Sequence, residues 1–155
     1  MYPKDYDLNY EDDRTAAFFS VPFEALNNWS AHRVKIWGGE FPTAEHAFQW
    51  KKFSASAPKI AEQIMLAPSP WAVYQVAKAN KSHADPRWNE IKLDVMKQII
   101  SAKLSQNEDV HERLLATGYR QIMENSPWDS FWGVGRDKKG QNHLGKIWTD
   151  LRDKL

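Results

Sequence analysis

Prolines at positions 42, 58, 70 and 86 divide the middle of the chain and limit the length of any helix there. Proline lacks a backbone N–H and has a fixed φ, so it is tolerated in the first turn of a helix and interrupts the interior. Thr43, Ser69 and Asp85 adjoin three of these prolines and are good N-cap residues. The sequence therefore predicts several short helices followed by a longer one.

The caps and the spacing of apolar residues predict where each helix begins and ends. We expect helices over 44–54, 59–66, 71–79, 86–105, 108–117 and 142–154. In the longest of these, the apolar residues Trp88, Ile91, Val95, Ile99 and Ala102 trace one buried stripe. Lys103 is expected to face solvent. Gly118 is suited to the left-handed residue that ends the 108–117 helix.

Strand signals are few and short. Gly38-Gly39 stands between short apolar runs and predicts a tight hairpin, while 18–26 and 119–125 are candidate strand segments. The fold class is thus a mostly helical α+β domain with a small antiparallel sheet. Residues 1–17 are expected to form a polar N-terminal arm, and residues 18–155 a single compact domain.

The composition excludes several kinds of protein. The chain has no cysteine, and its five histidines form no HxH or HExxH motif, so no metal, iron–sulfur cluster or other cofactor is expected. A net charge of +1 argues against bulk attraction to nucleic acid or to an anionic membrane. The acidic N-terminus is unlike a signal peptide, and no apolar run is long enough for a membrane span. We therefore expect a cytoplasmic monomer, or a nuclear one in a eukaryote.

The helix after Thr43 carries a polar ridge. At 100° per residue, Glu45, Gln49 and Lys52 lie within about 60° of one another, with Phe48 on the same side. A carboxylate, an amide and an amine bordered by an aromatic ring are typical of a cleft wall. The alternative is an ordinary solvated face with Phe48 in the core. His46 points to a different face, so no Glu–His dyad is expected.

A glycine-rich segment follows near the C-terminus. Four of the seven glycines, at positions 133, 135, 140 and 145, allow a close approach to a ligand. Trp132 is suited to stacking on a base or sugar, and Asp129 is a candidate acid or base. Asn142, at a helix start, is expected to leave N–H groups free for an anion such as phosphate. The alternative is a long surface turn, because neither a Walker loop nor a dinucleotide fingerprint is present.

A small basic tip lies within the same segment. It consists of Arg136, Lys138 and Lys139, which are either solvated or form a rim for phosphate.

Six segments, in this order, resemble the NADAR family, also called YbiA-like, whose name refers to NAD and ADP-ribose. They are L-N-N-W-S (26–30), F-P-T-A-E-H-A-F-Q-W-K-K-F (41–53), V-M-K-Q-I-I-S-A-K (95–103), L-L-A-T-G (114–118), D-S-F-W-G-V-G (129–135) and G-Q-N-H-L-G (140–145). The resemblance covers roughly residues 18–152. It implies hydrolysis of N-glycosidic bonds at the C1 of ribose. The implied substrates are ADP-ribose on a nucleobase, chiefly guanine in DNA, including single-stranded DNA, or a phosphorylated ribosylamino-pyrimidine of riboflavin synthesis.

The resemblance also implies roles for individual residues. The implied catalytic residues are Lys52, Glu45 and Asp129. The implied substrate-binding residues are Asn28, His46, Gln49, Glu124, Trp132, Gly133, Gly135 and Asn142. The chain departs from the family at Asn27-Asn28-Trp29, where relatives often read Ser-Asn-Phe, and at Ala77-Lys78, where they often carry Gly-Arg. The second departure puts a phosphate contact in doubt, because lysine lacks the bidentate fork of arginine.

Two reaction routes are open at this point. A carboxylate activates water at an oxocarbenium-like C1, or Lys52 attacks C1 of the ring-opened sugar and forms a Schiff base. We favour the lysine route, which needs a desolvated, neutral amine, with Phe48 and Phe53 as candidates for its apolar surroundings. The alternatives to an enzyme are a module that binds ADP-ribose without cleaving it and a scaffold with no ligand.

Overall fold

A computed structural model describes residues 8–19 and 24–155, and these hold five short strands and six α-helices. In chain order they are β1 (Tyr10–Glu11), β2 (Thr15–Phe18), β3 (Val34–Ile36), β4 (Gly39–Phe41), α1 (Ala44–Ser54), α2 (Pro58–Leu66), α3 (Pro70–Ala79), α4 (Trp88–Gln106), α5 (Glu108–Ala116), β5 (Gln121–Glu124) and α6 (His143–Asp153). The mostly helical α+β class is confirmed. None of the helices in the described ranges has the length and apolar character of a membrane span.

The chain divides into two units. Residues up to 30 together with 107–155 form the first unit, and residues 31–106 form the second. The sheet of the first unit has the order β1-β2-β5, with β1 and β2 antiparallel but β2 and β5 parallel. The expected purely antiparallel sheet is therefore wrong for this pair. Most of the chain separates β2 from β5, so a long crossover joins them instead of a turn, and this permits parallel pairing.

The predicted boundary between an arm and a domain at residue 17 falls inside β2. Ala16, Ala17 and Phe18 of that strand are buried. In β1, the Glu11 carboxylate binds the guanidinium groups of Arg113 and Arg120. Residues 10–17 are therefore part of the first unit, while residues 1–7, and residues 20–23 of the predicted 18–26 strand segment, lie outside the described residues.

The hairpin of the second unit is confirmed, with its turn one residue earlier than expected. Ile36 pairs with Gly39, so Trp37 and Gly38 are the central residues, with φ of +52° and +77°. Positive φ at both positions is the type I′ geometry that suits a two-residue hairpin. Trp37 adopts this geometry because other residues of the same unit hold its ring in place. Its Nε1 donates to Gln98 at 3.1 Å, and Lys51 Nζ lies 4.8 Å from the ring centroid.

Helices α1, α2 and α3 pack around a shared apolar cluster. Its buried members are Phe53, Ala61, Ile64, Val73 and Ala77. The predicted caps form: Thr43 Oγ1 accepts from the N–H of His46, and Ser69 Oγ accepts from the N–H of Ala72. These caps and the shared core fix the orientation of α1 and therefore of the ridge it carries.

Helix α4 begins two residues later than predicted. Asp85 Oδ1 accepts from the N–H of Arg87 at 2.9 Å, so an Asp-centred turn precedes the first helical residue, Trp88. The expected solvent-facing Lys103 is wrong, because its side chain is fully buried. Lys103 follows Val95 and Ile99 at four-residue intervals, so it continues the apolar stripe. That spacing was the available signal for its burial.

Candidate active site

The α1 ridge, defined as Glu45, Gln49 and Lys52, is partly buried and is held by a hydrogen bond between its side chains. Glu45 is only 8% exposed, and Gln49 Nε2 donates a hydrogen bond to its Oε1 at 2.9 Å. The Gln49 Oε1 atom is buried and has no hydrogen-bond partner among the described residues. A solvated helix face does not bury a carboxylate and an amide in this way, so the ordinary surface alternative does not describe this ridge.

Lys52 lies in surroundings that favour its neutral form. Burial is the largest influence and lowers the pKa of Lys52; the charges of Lys81 and Lys92 lower it further, while Glu45 raises it. The ammonium atom Nζ lies 5.9 Å from the ring centroid of Phe53. The amine is therefore easier to deprotonate than an exposed lysine, which is a requirement for a nucleophile.

The other two predicted residues of α1 have structural contacts. Thr43 Oγ1 lies 2.8 Å from His46 Nδ1, His46 Nε2 donates to the carbonyl of Ala67 at 2.9 Å, and the side chain is 1% exposed. Both ring nitrogens of His46 therefore have partners within the protein and hold α1 in place, and its substrate-binding role stays a prediction. Phe48 is also buried, with its ring centroid 4.8 Å from that of Trp88. Of the two expected aromatic neighbours, Phe53 lies beside the Lys52 amine.

In the first unit, the carboxyl groups of Glu124 and Asp129 lie close enough to influence each other. Glu124 ends β5, and Asp129 lies in the connection to α6. Asp129 Oδ1 accepts from the N–H groups of Phe131 and Trp132 at 2.9 and 2.8 Å. The backbone therefore holds the Asp129 carboxylate in place.

Burial is the main reason that the pKa of the Glu124 carboxyl group differs from that of an exposed glutamate. Burial, with the added field of Asp129, raises the pKa of Glu124 to about 8, against a smaller opposing effect of the Ser126 N–H. The Oε2 atom is buried and has no hydrogen-bond partner among the described residues. At neutral pH this carboxyl is therefore mostly protonated, unlike an exposed glutamate. The sequence indicated a binding role for Glu124 but not this protonation state.

The glycines of this segment accommodate the protein's own atoms. A Cβ on Gly133 would overlap Oε2 of Glu124 and lie 2.7 Å from the Glu124 carbonyl oxygen, and one on Gly140 would lie 2.6 Å from the Gly133 carbonyl oxygen. Gly135 has a φ of +69°, which L-residues rarely adopt. At Gly133 the close approach that the glycine allows is therefore that of the Glu124 carboxyl group, whereas a ligand was expected there.

The start of α6 is closed by the preceding loop. The N–H groups of Asn142, His143 and Leu144 donate to the carbonyls of Gly133, Phe131 and Trp132 at 2.9, 3.1 and 3.0 Å. The expectation that these groups are free for an anion is therefore wrong. The alternative of a long surface turn is also a poor description of a loop in which so many carbonyls are bonded.

Asn142 occupies the N-cap position without capping through its side chain. Its φ is +51°, its Nδ2 donates to the carbonyl of Ile122 and its Oδ1 accepts from the N–H of Glu124, both at 2.9 Å. The amide thus pairs with the backbone of β5 as a neighbouring strand would. It holds Glu124 in register, and its direct role in binding a substrate stays a prediction.

Two further predicted substrate-binding residues are partly accessible. Trp132 is half-buried and makes an edge contact with Phe131, their ring centroids 4.8 Å apart. Asn28 is half-buried in the turn over 25–30, which Trp148 supports by donating from Nε1 to the Leu26 carbonyl at 3.0 Å. Both residues remain predicted ligand contacts.

The basic groups lie at the surface. Arg136, Lys138 and Lys139 are exposed, and Lys138 donates to Asn125 Oδ1. Lys138 also lines an open cavity of about 370 Å³ along β5 and α6, whose lining includes Asn142 but neither Asp129 nor Trp132. Lys78, at the position where relatives often carry arginine, is exposed, and its Nζ lies 5.9 Å from the ring centroid of Tyr74. A phosphate role for these lysines stays a prediction.

The predicted site residues therefore form two described groups. The second unit brings together Glu45, Gln49 and Lys52, and the first unit brings together Glu124, Asp129 and Gly133.

The model of the NADAR domain matches residues 10–155 of this chain. An N-glycosidase of Nostoc punctiforme is 33% identical over 144 residues, covering 91% of this chain and 92% of that protein. The N-glycosidase YbiA of Escherichia coli is 32% identical over 130 residues, covering 84% of this chain and 80% of that protein. Its NMR structure superimposes with a TM-score of 0.78 at 29% identity and covers 97% of this chain and 90% of that one.

A riboflavin biosynthesis protein of Vibrio vulnificus is 30% identical over 146 residues, which is 94% of this chain and 37% of that longer protein.

Proposed function

The chain belongs to the NADAR family, and from that premise we propose that it hydrolyses the bond between the C1 of a phosphorylated or ADP-linked ribose and a nitrogen. N-glycosidase is the class of enzyme that the names of the bacterial relatives support. The reaction adds water across the C1–N bond, so it yields a sugar phosphate or ADP-ribose, depending on the substrate, and a free base or amine.

The observation that carries the proposal is the partly desolvated amine of Lys52 beside the buried carboxylate of Glu45. Burial lowers the pKa of Lys52, and Glu45 is held by Gln49. A neutral amine is able to attack an electrophilic C1 and form a Schiff base that water later hydrolyses. Glu45 is suited to taking and returning protons at that amine. This arrangement supports the lysine route over direct attack by water.

Two residues of the first unit have side chains suited to further roles in such a reaction. Asp129 is fixed by two backbone N–H groups and, as a carboxylate, is suited to stabilising positive charge that develops at C1. The half-buried ring of Trp132 is suited to stacking on the base or the ribose. Asn28 and Gln49 offer amide groups to sugar hydroxyls.

Two substrate classes fit the proposal. The relative from Vibrio vulnificus is named a riboflavin biosynthesis protein, which favours a phosphorylated ribosylamino-pyrimidine. The other class is ADP-ribose on a nucleobase such as guanine, either free or within single-stranded DNA. The net charge of +1 favours a small or single-stranded ligand over a long duplex.

The test is incubation of the protein with a ribosylamino-pyrimidine phosphate and, in parallel, with an ADP-ribosylated guanine oligonucleotide, scoring released sugar phosphate. Lys52→Ala should lower the rate by about 10²-fold or more, the scale of a lost catalytic group. Lys59→Ala, at an exposed position of α2, is the matched control and should keep the wild-type rate. Tight binding of ADP-ribose with no turnover of either substrate would instead identify a binding module.

Borohydride distinguishes the two routes. Reduction during turnover should trap the sugar on Lys52 and add its mass to the peptide that contains this residue. Turnover without any adduct would favour the direct-water route.

A further inference from the structure

Cleavage of a C1–N bond leaves an electron pair on the departing nitrogen. Most bases and amines leave slowly as anions, so an acid that delivers a proton to this nitrogen accelerates the step in either route. Lys52 is needed as a neutral amine, and Asp129 is needed as a carboxylate. The described residues contain another group with the properties of a proton donor.

Glu124 is that group. Its position is fixed along the backbone: its N–H donates to Asn142 Oδ1 at 2.9 Å and its carbonyl accepts from the N–H of Val134 at 3.0 Å. Its carboxyl lies against the Cα of Gly133, in space that a side chain at 133 would fill. Strand β5 therefore places one carboxyl group in the space beside Gly133, where the loop has no side chain.

One oxygen of this carboxyl is unused within the described residues. The N–H of Ser126 donates to the carboxyl, whereas Oε2 is buried and has no partner there. A buried polar atom without a partner is destabilising, so its retention points to a partner that binds later. A substrate nitrogen that accepts a proton has the required chemistry.

We propose that Glu124 is the general acid that protonates the departing nitrogen, an inference that rests on the proposed N-glycosidase function. The neighbouring Asp129 carboxylate and the buried surroundings keep Glu124 protonated, with a pKa of about 8. A protonated carboxyl group beside a second carboxyl group is typical of a general acid paired with a group that stabilises charge.

The C1–N bond breaks, its electron pair stays on the nitrogen, and the Glu124 proton moves to that nitrogen. Water supplies the oxygen that bonds to C1. The proton released from water restores the Glu124 acid, directly or through solvent. The net change is addition of one water across the C1–N bond.

The first test compares Glu124→Gln with the wild-type protein on N-ribosyl phosphates whose leaving groups differ in basicity. The series runs from an aminopyrimidine, which needs a proton to leave, to a pyridinium, which leaves as a neutral ring. We expect a loss in kcat of about 10²-fold or more for the aminopyrimidine and a progressively smaller loss toward the pyridinium. Glu112→Gln, at an exposed position of α5, is the control and should behave as wild type.

A loss of equal size across the whole series would overturn the proposal, because it would indicate a structural role. An unchanged rate in Glu124→Gln would overturn it as well, while leaving the N-glycosidase function intact. If the wild-type protein cleaves no member of the series, the proposed function itself fails, and this inference fails with it.

The second test needs no variant. Infrared spectra of protein carrying 13C-labelled glutamate should show a protonated carboxyl band at pH 7 that disappears as the pH rises through about 8. The kcat/KM of the wild-type protein should fall over the same range. Spectra with only carboxylate bands at pH 7 would overturn the proposal even if Glu124→Gln proved too unstable to assay.

Discussion

The carboxyl group of Glu124 fills the space in which residue 133 would carry a side chain. A Cβ on Gly133 would overlap Oε2, and it would also lie 2.7 Å from the Glu124 carbonyl oxygen and 3.0 Å from that of Asp129. Rotation of the Glu124 side chain would relieve only the first of these contacts. The D-x-x-W-G segment thus requires its glycine because of the Glu124 carboxyl group and the two carbonyl oxygens, independently of any ligand.

Gly133→Ala is therefore expected to destabilise the protein by about 1–3 kcal/mol, the range for overpacking a filled site, and to lower activity by displacing Glu124. Denaturant titration and a turnover assay check the two effects. Gly38→Ala is the control: its added Cβ meets no atom within 4 Å, and only the φ of +77° opposes it, at a cost of about 1 kcal/mol with no loss of activity. Equal turnover by both variants would contradict this account.

The pKa of Glu124 also predicts how stability changes with pH. The folded value is raised to about 8 from an ordinary 4.5, so between these values the folded state binds more protons than the unfolded state. The free energy of unfolding should therefore fall as the pH rises from about 4.5 through about 8 and level off above it. Urea titrations should give similar free energies of unfolding for wild-type protein and Glu124→Gln near pH 5. Toward pH 9 the free energy of unfolding of the variant should increase relative to that of the wild type.

Local features of the sequence were sufficient to predict most helix boundaries. Thr43 and Ser69 cap α1 and α3 as expected, and Gly118 has the expected left-handed conformation with a φ of +60°. Caps and prolines act within one or two turns, so their effects do not depend on the rest of the fold. For the same reason the α1 ridge could be recognised from helical spacing alone.

Tertiary contacts decided what the sequence did not reveal. The parallel pairing of β2 with β5 joins segments that are distant in the sequence. The side-chain amide of Asn142 forms hydrogen bonds with the backbone of β5, whereas an ordinary N-cap side chain bonds to its own helix. The burial of Lys103 and the protonation of Glu124 depend on what surrounds each side chain. The residue type alone predicts a charged, solvated group in both cases.

His46 should give the opposite pH dependence to Glu124. Burial lowers the pKa of His46 below its ordinary 6.5, against the opposing effect of the hydrogen bond to Ala67. The stability contributed by the neutral ring is present above pH 6.5 and is lost as the pH falls through the lowered folded pKa. Protonation would also remove the acceptor at Nδ1 that Thr43 uses.

The variant His46→Gln, which does not titrate, should flatten that acid-side slope between pH 7 and 5. His111→Gln, at a half-buried position of α5, is the control and should retain it. Guanidinium titrations at several pH values check this, and an unchanged slope in His46→Gln would assign the acid sensitivity to another group.

Lys52→Arg separates the role of a nucleophile from that of a positive charge. Arginine keeps the charge and most of the length but does not deprotonate or form a Schiff base. If Lys52 attacks C1, the Arg and Ala variants should both lose about 10²-fold or more in kcat, and neither should give a borohydride adduct. On the acid side the wild-type rate should also rise with pH, because only the neutral amine reacts, until loss of the Glu124 proton near pH 8 opposes the rise. Lys59→Arg is the matched control and should keep the wild-type rate. If Lys52→Arg instead retained most of the activity, the charge alone would suffice, and water would be the group that attacks C1.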